Sequence, residues 1–334
     1  MKPSSRPVRR LILVLALANG LATASVVTAK NHVQLKHSPG SLAISVDGQP
    51  FAQFVYQDEA ISRPYFAHIK APGGIQVTRN HPPVEGVDSP DHATFHPGLW
   101  LSFGDISGSD YWRLAAPVKF DRFLAEPASE EGYGRFAVRF KYLDERNPDE
   151  VLCSEDFHCE IQPIEGGCLI LWDSTFSSDR EYTFGDQEEM GLGFRIATPI
   201  RAERNSKIGL KPGNGEIVNS RGGRNEEQIW GKTAVWCDYR GALEGRTVGI
   251  AVFPHPENFR PCWFHVRDYG MLVANPFGRQ AFGKGEKSAV TVKPGETFRL
   301  RYGVFVHASA ENQEPDIAGA YNAYLRLARQ QAGK

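Results

Sequence analysis

Between Asp91 and Trp112 the chain reads Asp-His-Ala-Thr-Phe-His-Pro-Gly-Leu-Trp-Leu-Ser-Phe-Gly-Asp-Ile-Ser-Gly-Ser-Asp-Tyr-Trp. Two histidines, three acids and two tryptophans fall in this one stretch. An imidazole titrates near neutrality, so a histidine beside a carboxylate can take up and return a proton. Asp91, His92 and His96 could instead ligate a metal such as copper or iron. Their spacing matches no strong ligand motif, and Pro97 opposes the helix that would bring His92 and His96 together. From His96 to Phe103 the residues alternate as in a half-buried strand. Leu99, Leu101 and Phe103 face a core, while His96, Gly98, Trp100 and Ser102 face away from it.

Three further stretches repeat that arrangement. Met190, Leu192, Phe194 and Ile196 are apolar, and the opposite face reads Glu189, Gly191, Gly193, Arg195. Two glycines between a carboxylate and a guanidinium strip a sheet of side-chain cover and let another group approach it. Trp236 and Asp238 share one face of a strand, and Trp263, His265 and Arg267 share one face of another. If these strands lie in one sheet, their faces form a concave wall of indoles, imidazoles, carboxylates and guanidinia. Such a wall suits a sugar, whose CH faces stack on aromatic rings while its hydroxyls bond to charged groups. On that reading His96, Glu189 and His265 handle protons. Arg79, Trp100, Arg195, Trp236, Asp238, Trp263 and Arg267 bind substrate. A glycosidase with paired carboxylates would use Glu189 with Asp238. Each residue also has a structural reading: the tryptophans pack under loops, Glu189 and Arg195 pair with other strands, and His265 is a hydrogen-bonded core histidine.

The elements that must carry these residues read almost entirely as β. Leu42, Ile44 and Val46 alternate, Asp47-Gly48 marks a two-residue hairpin turn, and Phe51 to Tyr56 returns. Residues 80–95 are a proline- and glycine-punctuated loop carrying His81, Asp88, Asp91 and His92, and long loops of that kind tend to be functional. Strands follow at 136–142, 153–161 and 168–172, the last apolar on both faces and therefore central. Residues 203–232 read as a polar, glycine-rich excursion. Beyond it come strands at 234–239, 248–253, 262–267, 271–274 and 297–307. Only the end looks helical, with Asp316 as cap and Ile317, Ala320, Tyr321, Tyr324, Leu325 and Ala328 in one stripe. More than a dozen short strands without βαβ rhythm predict an all-β fold, a large antiparallel sandwich spanning residues 30–312, with a C-terminal helix over 313–334 packed on it.

The first 29 residues read as a signal peptide: Lys2, Arg6, Arg9 and Arg10, then an apolar run from Leu11 to Ala18, then small residues ahead of a cleavage point. Arg9-Arg10 leaves the general and twin-arginine export routes both open. The expected location is the periplasm or outside the cell, with no membrane span after cleavage. Removing this segment takes basic against acidic residues from 38 against 39 to 34 against 39, a balance that argues against nucleic acid as a partner. The five cysteines, Cys153, Cys159, Cys168, Cys237 and Cys262, are an odd number for an exported chain and show no zinc spacing. They read as small buried apolar residues, with room for one disulfide.

Arg63-Pro64-Tyr65, Val77-Thr78-Arg79, His96-Pro-Gly-Leu-Trp100, Asp110-Tyr-Trp112, Glu189-Met-Gly-Leu-Gly-Phe-Arg195, Trp236-Cys-Asp238, Trp263-Phe-His265-Val-Arg267 and Asn275-Pro-Phe277-Gly278 occur in an order that resembles the PmoA-like family of exported bacterial proteins. The resemblance runs from residue 35 to residue 328. Members commonly have His-His-Arg-Gly-Leu-Trp where this chain has Phe95-His96-Pro97-Gly98-Leu99-Trp100, so one histidine and the arginine are absent. The resemblance implies a supersandwich like that of galactose mutarotases and polysaccharide lyases, and a role in carbohydrate metabolism. The family's methane-oxygenase label fits poorly, because nothing after residue 29 could span a bilayer. The expectation is therefore a carbohydrate-active hydrolase, lyase or epimerase that needs no cofactor. The alternatives are a non-catalytic glycan-binding protein and, behind it, a metal-dependent oxygenase.

Overall fold

The fold is described from a computed structural model of the chain, which describes residue 1, residues 32–206 and residues 208–332. Two compact units divide at Lys30 and Asn31. The first, Met1–Lys30, holds the expected signal peptide and lies almost wholly outside the described residues.

The second unit is built on two large sheets in which every neighbouring pair of strands is antiparallel. One has nine strands, in the order Val33–Ser38, Ser41–Val46, Gln49–Val55, Tyr65–Ala67, Leu99–Phe103, Met190–Arg195, Met271–Asn275, Trp263–Arg267 and Lys232–Thr233. The other has eight: Glu216–Asn219, Cys237–Leu243, Arg246–Pro254, Thr297–Ala310, Gly167–Ser177, Val151–Ile164, Tyr133–Leu143 and Val118–Glu130. The expected all-β antiparallel sandwich with a C-terminal helix is the fold observed.

Period-two patterning makes the sandwich. Leu99, Leu101, Phe103, Leu192, Phe194, Leu272 and Phe264 on the nine-stranded sheet meet Phe157, Ile170, Trp172, Ile250, Tyr302 and Val304 on the other in one continuous core. The predicted hairpin closes at Asp47-Gly48, where both residues have positive φ (50° and 74°), and Val46 pairs with Gln49. The helix Ile317–Ala332 is capped by Asp316, which accepts from Gly319 N at 2.8 Å. Its Ile317, Ala320, Tyr324 and Ala328 cover Leu169, Leu171, Phe253 and Phe305 on the outer face of the eight-stranded sheet. That cover explains why the Gly167–Ser177 strand is apolar on both sides.

Two readings are corrected. All five cysteines are free and buried, so none forms the disulfide allowed for above. The excursion at 203–232 contains the strand Glu216–Asn219 and a short helix, Asn225–Ile229.

Candidate functional site

The outer face of the nine-stranded sheet gathers most of the residues singled out by pattern, because three of the four strands concerned are near neighbours in it. Register sets them in rows. Trp100 pairs with Gly193, Gly193 with Val273, and Val273 with His265. In the next row Arg195 pairs with Met271 and Met271 with Arg267. The glycines expected to bare the sheet do so for the protein's own groups. A Cβ on Gly193 would lie 3.4 Å from the Trp100 ring, and one on Gly191 would lie 2.2 Å from the Ala274 carbonyl oxygen.

At one end of this face stands His265. Its Nδ1 lies 3.0 Å from the Glu188 carbonyl oxygen, which can only accept, so Nδ1 carries the proton and Nε2 keeps its lone pair. Nε2 is buried without a hydrogen-bond partner and faces the Glu188 carboxylate at 3.7 Å. Burial pulls the His265 pKa down to about 4; the bond to Glu188 opposes this and nearby Arg267 adds to it. The imidazole is therefore neutral at physiological pH, and its approach to Glu188 is not an ion pair. Glu188 is itself placed by Asn275, whose amide donates to the carbonyls of Gln187 (2.7 Å) and Glu188 (2.9 Å). Arg267 bonds Glu226 at 2.8 Å and Glu188 at 3.3 Å. Aromatic rings close the group. Phe282 contacts Trp230, Trp263 and His265 at centroid distances of 5.2, 6.1 and 6.1 Å, and the Trp230 Nε1–H is a second buried polar atom without a partner. None of Glu188, Glu226, Trp230 and Phe282 was among the candidate site residues read from the sequence.

Glu189 lies next to this group, half-buried and paired with Arg113, which also holds Asp110 at 2.8 Å. At the other end of the face Arg195 grips Asp91 through two bonds of 3.0 and 2.9 Å and lies under the Tyr269 ring at 4.3 Å. Burial pushes the Asp91 carboxyl up, but the bond from His92 and the charge and bonds of Arg195 outweigh it and hold the group far below its usual range. Arg79 is buried and donates to the carbonyls of Ser89, Asp91, His92 and His96 at 2.7–3.2 Å. Its terminal nitrogens bolt the 89–96 loop to the sheet, which leaves them engaged rather than open to a substrate. His96 is buried too, stacked on Trp100 at 4.9 Å with 6° between the planes.

Trp236 and Asp238 are brought elsewhere. Asp238 belongs to the eight-stranded sheet and Trp236 immediately precedes its strand Cys237–Leu243, packing on the cluster under the C-terminal helix. Asp238 is wholly buried, 2.9 Å from His307 Nε2 and 3.5 Å from Arg240. They are removed from the face that carries Trp100, Arg195 and His265, and Asp238 lies in the other sheet from the strand that follows Glu189, which sets the pair aside as the two flanks of one glycosidic bond. The metal set fares no better: both Asp91 oxygens are held by Arg195. Among the described residues no group of three His, Cys, Asp or Glu side chains is arranged to hold a metal ion.

The sequence matches the family of unknown function DUF6807 over residues 41–321. The chain belongs to that family. This corrects the PmoA-like resemblance, since the matching family carries no such assignment. Part of the shared motif order has a structural cause in this member: a Cβ on Gly98 would lie 2.1 Å from the Phe66 carbonyl oxygen, so the Gly-Leu-Trp run is tied to strand packing. No curated protein matches. Solved structures similar to this family member include a GH36 alpha-galactosidase from Geobacillus stearothermophilus, with TM-score 0.36 and 10% identity, covering 84% of this chain and 41% of that one. A beta-arabinopyranosidase gives TM-score 0.39 and 11% identity, covering 76% and 38%. A galactose mutarotase-like protein from Lactobacillus casei gives TM-score 0.34 and 8% identity, covering 83% and 100%. The chain thus spans about two fifths of the two glycosidase chains. At such scores no argument rests on these likenesses, and the sandwich stands on its own two sheets.

Proposed function

We propose that this DUF6807 member is an exported carbohydrate-active protein whose ligand, a neutral sugar or oligosaccharide, is engaged at His265. One observation carries the reading. A buried lone pair, His265 Nε2, and a buried donor, Trp230 Nε1–H, lack partners around the same Phe282 ring, beside a carboxylate and a guanidinium. A sugar hydroxyl both donates and accepts, and its ring carbons offer apolar surface to Trp230 and Trp263. The charged groups nearby are paired with one another, Arg267 with Glu188 and Glu226, and Arg113 with Glu189, which favours an uncharged ligand.

In the catalytic form of the proposal, His265 Nε2 takes a proton from a sugar hydroxyl or from carbon next to a carbonyl. The Glu188 carboxylate stabilises the resulting imidazolium, and Arg267 stabilises negative charge left on the substrate. Glu189, held by Arg113, is the nearest second carboxylate in sequence. Elimination and epimerisation begin with such a transfer, whereas hydrolysis would need a proton delivered to the glycosidic oxygen and a water activated for attack. The downward pull on the His265 pKa favours a second reading: a base this weak serves a binding site, so the protein would hold glycans without changing them.

A panel of oligosaccharides and oxidised sugars, followed by calorimetry for binding and chromatography for turnover, separates the two. Under the catalytic reading, His265→Gln and Glu188→Gln each lower turnover at least a hundredfold while binding changes little. Binding without turnover by the wild type establishes the second reading, and neither binding nor turnover refutes both.

A further inference from the structure

Among the described residues thirteen buried side-chain polar atoms have no hydrogen-bond partner, and five of them fall in one place: Arg63 Nε, Arg79 Nε, Trp100 Nε1 and both ring nitrogens of His96. Buried polar atoms are nearly always partnered, so five in one neighbourhood need an explanation. They are neighbours in fact. The His96 ring stacks on Trp100, the Arg63 guanidinium lies 5.5 Å from the centre of the Trp100 ring, and Arg79 bonds the His96 carbonyl at 3.1 Å.

Their chemistry has one sign. An arginine Nε and an indole nitrogen can only donate, and a neutral imidazole adds one further donor and one acceptor. The terminal nitrogens of both arginines are already committed, those of Arg63 to the carbonyls of Phe95, Tyr111 and Trp112 and to Ser102, and those of Arg79 to the 89–96 loop. What remains is the inward Nε–H of each. Charge agrees. Arg63, Arg79 and Arg195 are all buried, and after burial itself the groups acting most strongly on His96 are Arg195, His92, Arg63 and Arg79, each opposing a proton on its ring. Carboxylates do lie near the arginines: Asp91 on Arg195, Asp88 near Arg79 and Asp110 near Arg63. Asp91 also lies 3.5 Å from Arg79 Nη1, Asp88 is bonded by Asn80 and the Val84 amide, and Asp110 by Arg113, so these carboxylates meet the terminal nitrogens and leave the Nε–H groups unpartnered.

We propose that His96, Trp100, Arg63 and Arg79 form an internal site for a small inorganic anion of the halide class, sealed beneath the 89–96 loop. His96, weighed in the sequence as one of three alternative metal ligands, would thus face the opposite charge. Only a compact acceptor suits a site whose residues are each almost wholly buried, and a halide can accept from several N–H groups at once. Bound there, it gives the unpartnered donors an acceptor and stabilises the loop's attachment to the sheet. The sugar reading for His265 does not depend on it.

Crystals of the wild-type protein soaked in bromide test the site directly by anomalous scattering. The expected result is a peak within hydrogen-bonding range of His96 and the Trp100 indole nitrogen. In solution, chloride raised from about 5 to about 500 mM at constant ionic strength, with methanesulfonate as the balancing anion, should raise Tm by a few degrees, because a ligand that binds only the folded state stabilises it by mass action. Trp100→Phe removes one donor and keeps the ring, and should abolish most of that chloride dependence. A map with water in place of bromide overturns the proposal, as does a Tm indifferent to the choice of anion. The wild-type measurements decide the matter even if Trp100→Phe fails to fold.

Discussion

Replacing Glu155 with glutamine should change how stability responds to pH. Glu155 lies on the Val151–Ile164 strand and is 2% exposed. It accepts a hydrogen bond from Tyr142 Oη at 2.7 Å and another from Ser174, which in turn accepts from the Trp172 indole at 2.9 Å. Among the described residues no cation pairs with it. Burial outweighs those hydrogen bonds and raises its pKa from 4.5 to about 7. The sign follows from linkage. Between these two values the unfolded chain has lost the proton and the folded chain keeps it, so stability falls as pH rises from the unfolded value through the folded one. A shift of this size at about 1.4 kcal/mol per pKa unit makes the loss roughly 3 kcal/mol, complete by about pH 8. Glutamine keeps the shape and cannot ionise. Urea unfolding of both proteins from about pH 5 to about pH 8.5 should therefore show the wild type losing roughly 2–3 kcal/mol relative to Glu155→Gln. Taking the difference cancels every other titrating group, including His265, whose lowered pKa costs stability in the acid direction. Curves that stay parallel within about 0.5 kcal/mol would refute the reasoning and mean that Glu155 is as well solvated folded as unfolded.

Three shorter predictions rest on other parts of the sandwich. Gly98→Ala places a methyl 2.1 Å from the Phe66 carbonyl oxygen and should cost about 3 kcal/mol or more in denaturant unfolding. Gly132→Ala, with φ of 88° and nothing within 4 Å, should cost only the roughly 1–2 kcal/mol of its backbone conformation, and equal losses would show that the close approach is not what fixes Gly98. A double-mutant cycle over Asp91→Asn and Arg195→Met should give a coupling of about 1–2 kcal/mol, reduced by the partial exposure of Asp91, and a coupling near zero would mean that the 89–96 loop is not held through this pair. Thiol titration of the non-reduced protein in denaturant should count five free cysteines, in line with all five being unpaired and buried, and a count of three would reveal a disulfide.

Strands with unbroken alternation could be read directly. Phe298, Leu300, Tyr302, Val304 and Val306 predicted the Thr297–Ala310 strand, and the cap at Asp316 with its apolar stripe predicted the helix. The edge strand Val118–Glu130 left no such trace. Its register against Tyr133–Leu143 shifts at three points between Phe120 and Ala128, and each bulge resets the period of two that a sequence reading depends on. The short elements Glu216–Asn219 and Asn225–Ile229 are held from outside, the helix by Glu226 bonded to Arg267 and to the Asp268 amide, so local composition could not announce them. Alternation also assigns a residue to a face of its strand without saying which sheet the strand joins. Trp236 with Asp238 and Trp263 with His265 have the same pattern and lie in different sheets. Glu188 escaped for a related reason. It precedes the regular strand Met190–Arg195, where phase no longer applies, and the Asn275 amide sets its place from 87 residues away.

The stretch from Asp91 to His96 shows how far a local reading reaches. Taken alone, an aspartate and two histidines within six residues offer side chains that could ligate a cation, and only their spacing argues otherwise. The charges that decide the matter come from Arg63, Arg79 and Arg195, on segments that precede and follow it and meet only because Tyr65–Ala67, Leu99–Phe103 and Met190–Arg195 are adjacent strands. Once three guanidinia are buried beside His96, a metal ion there would face like charge in a region of low dielectric, where such repulsion is least screened. Asp91, the one ligand able to counter it, is spent on Arg195. The same strand order that gives this end of the sheet its positive sign leaves the His265 end with its charges paired and two neutral polar atoms unmatched. The two proposals thus assign one face two different chemistries, an anion at the sealed end and a hydroxyl at the end bordered by Glu188.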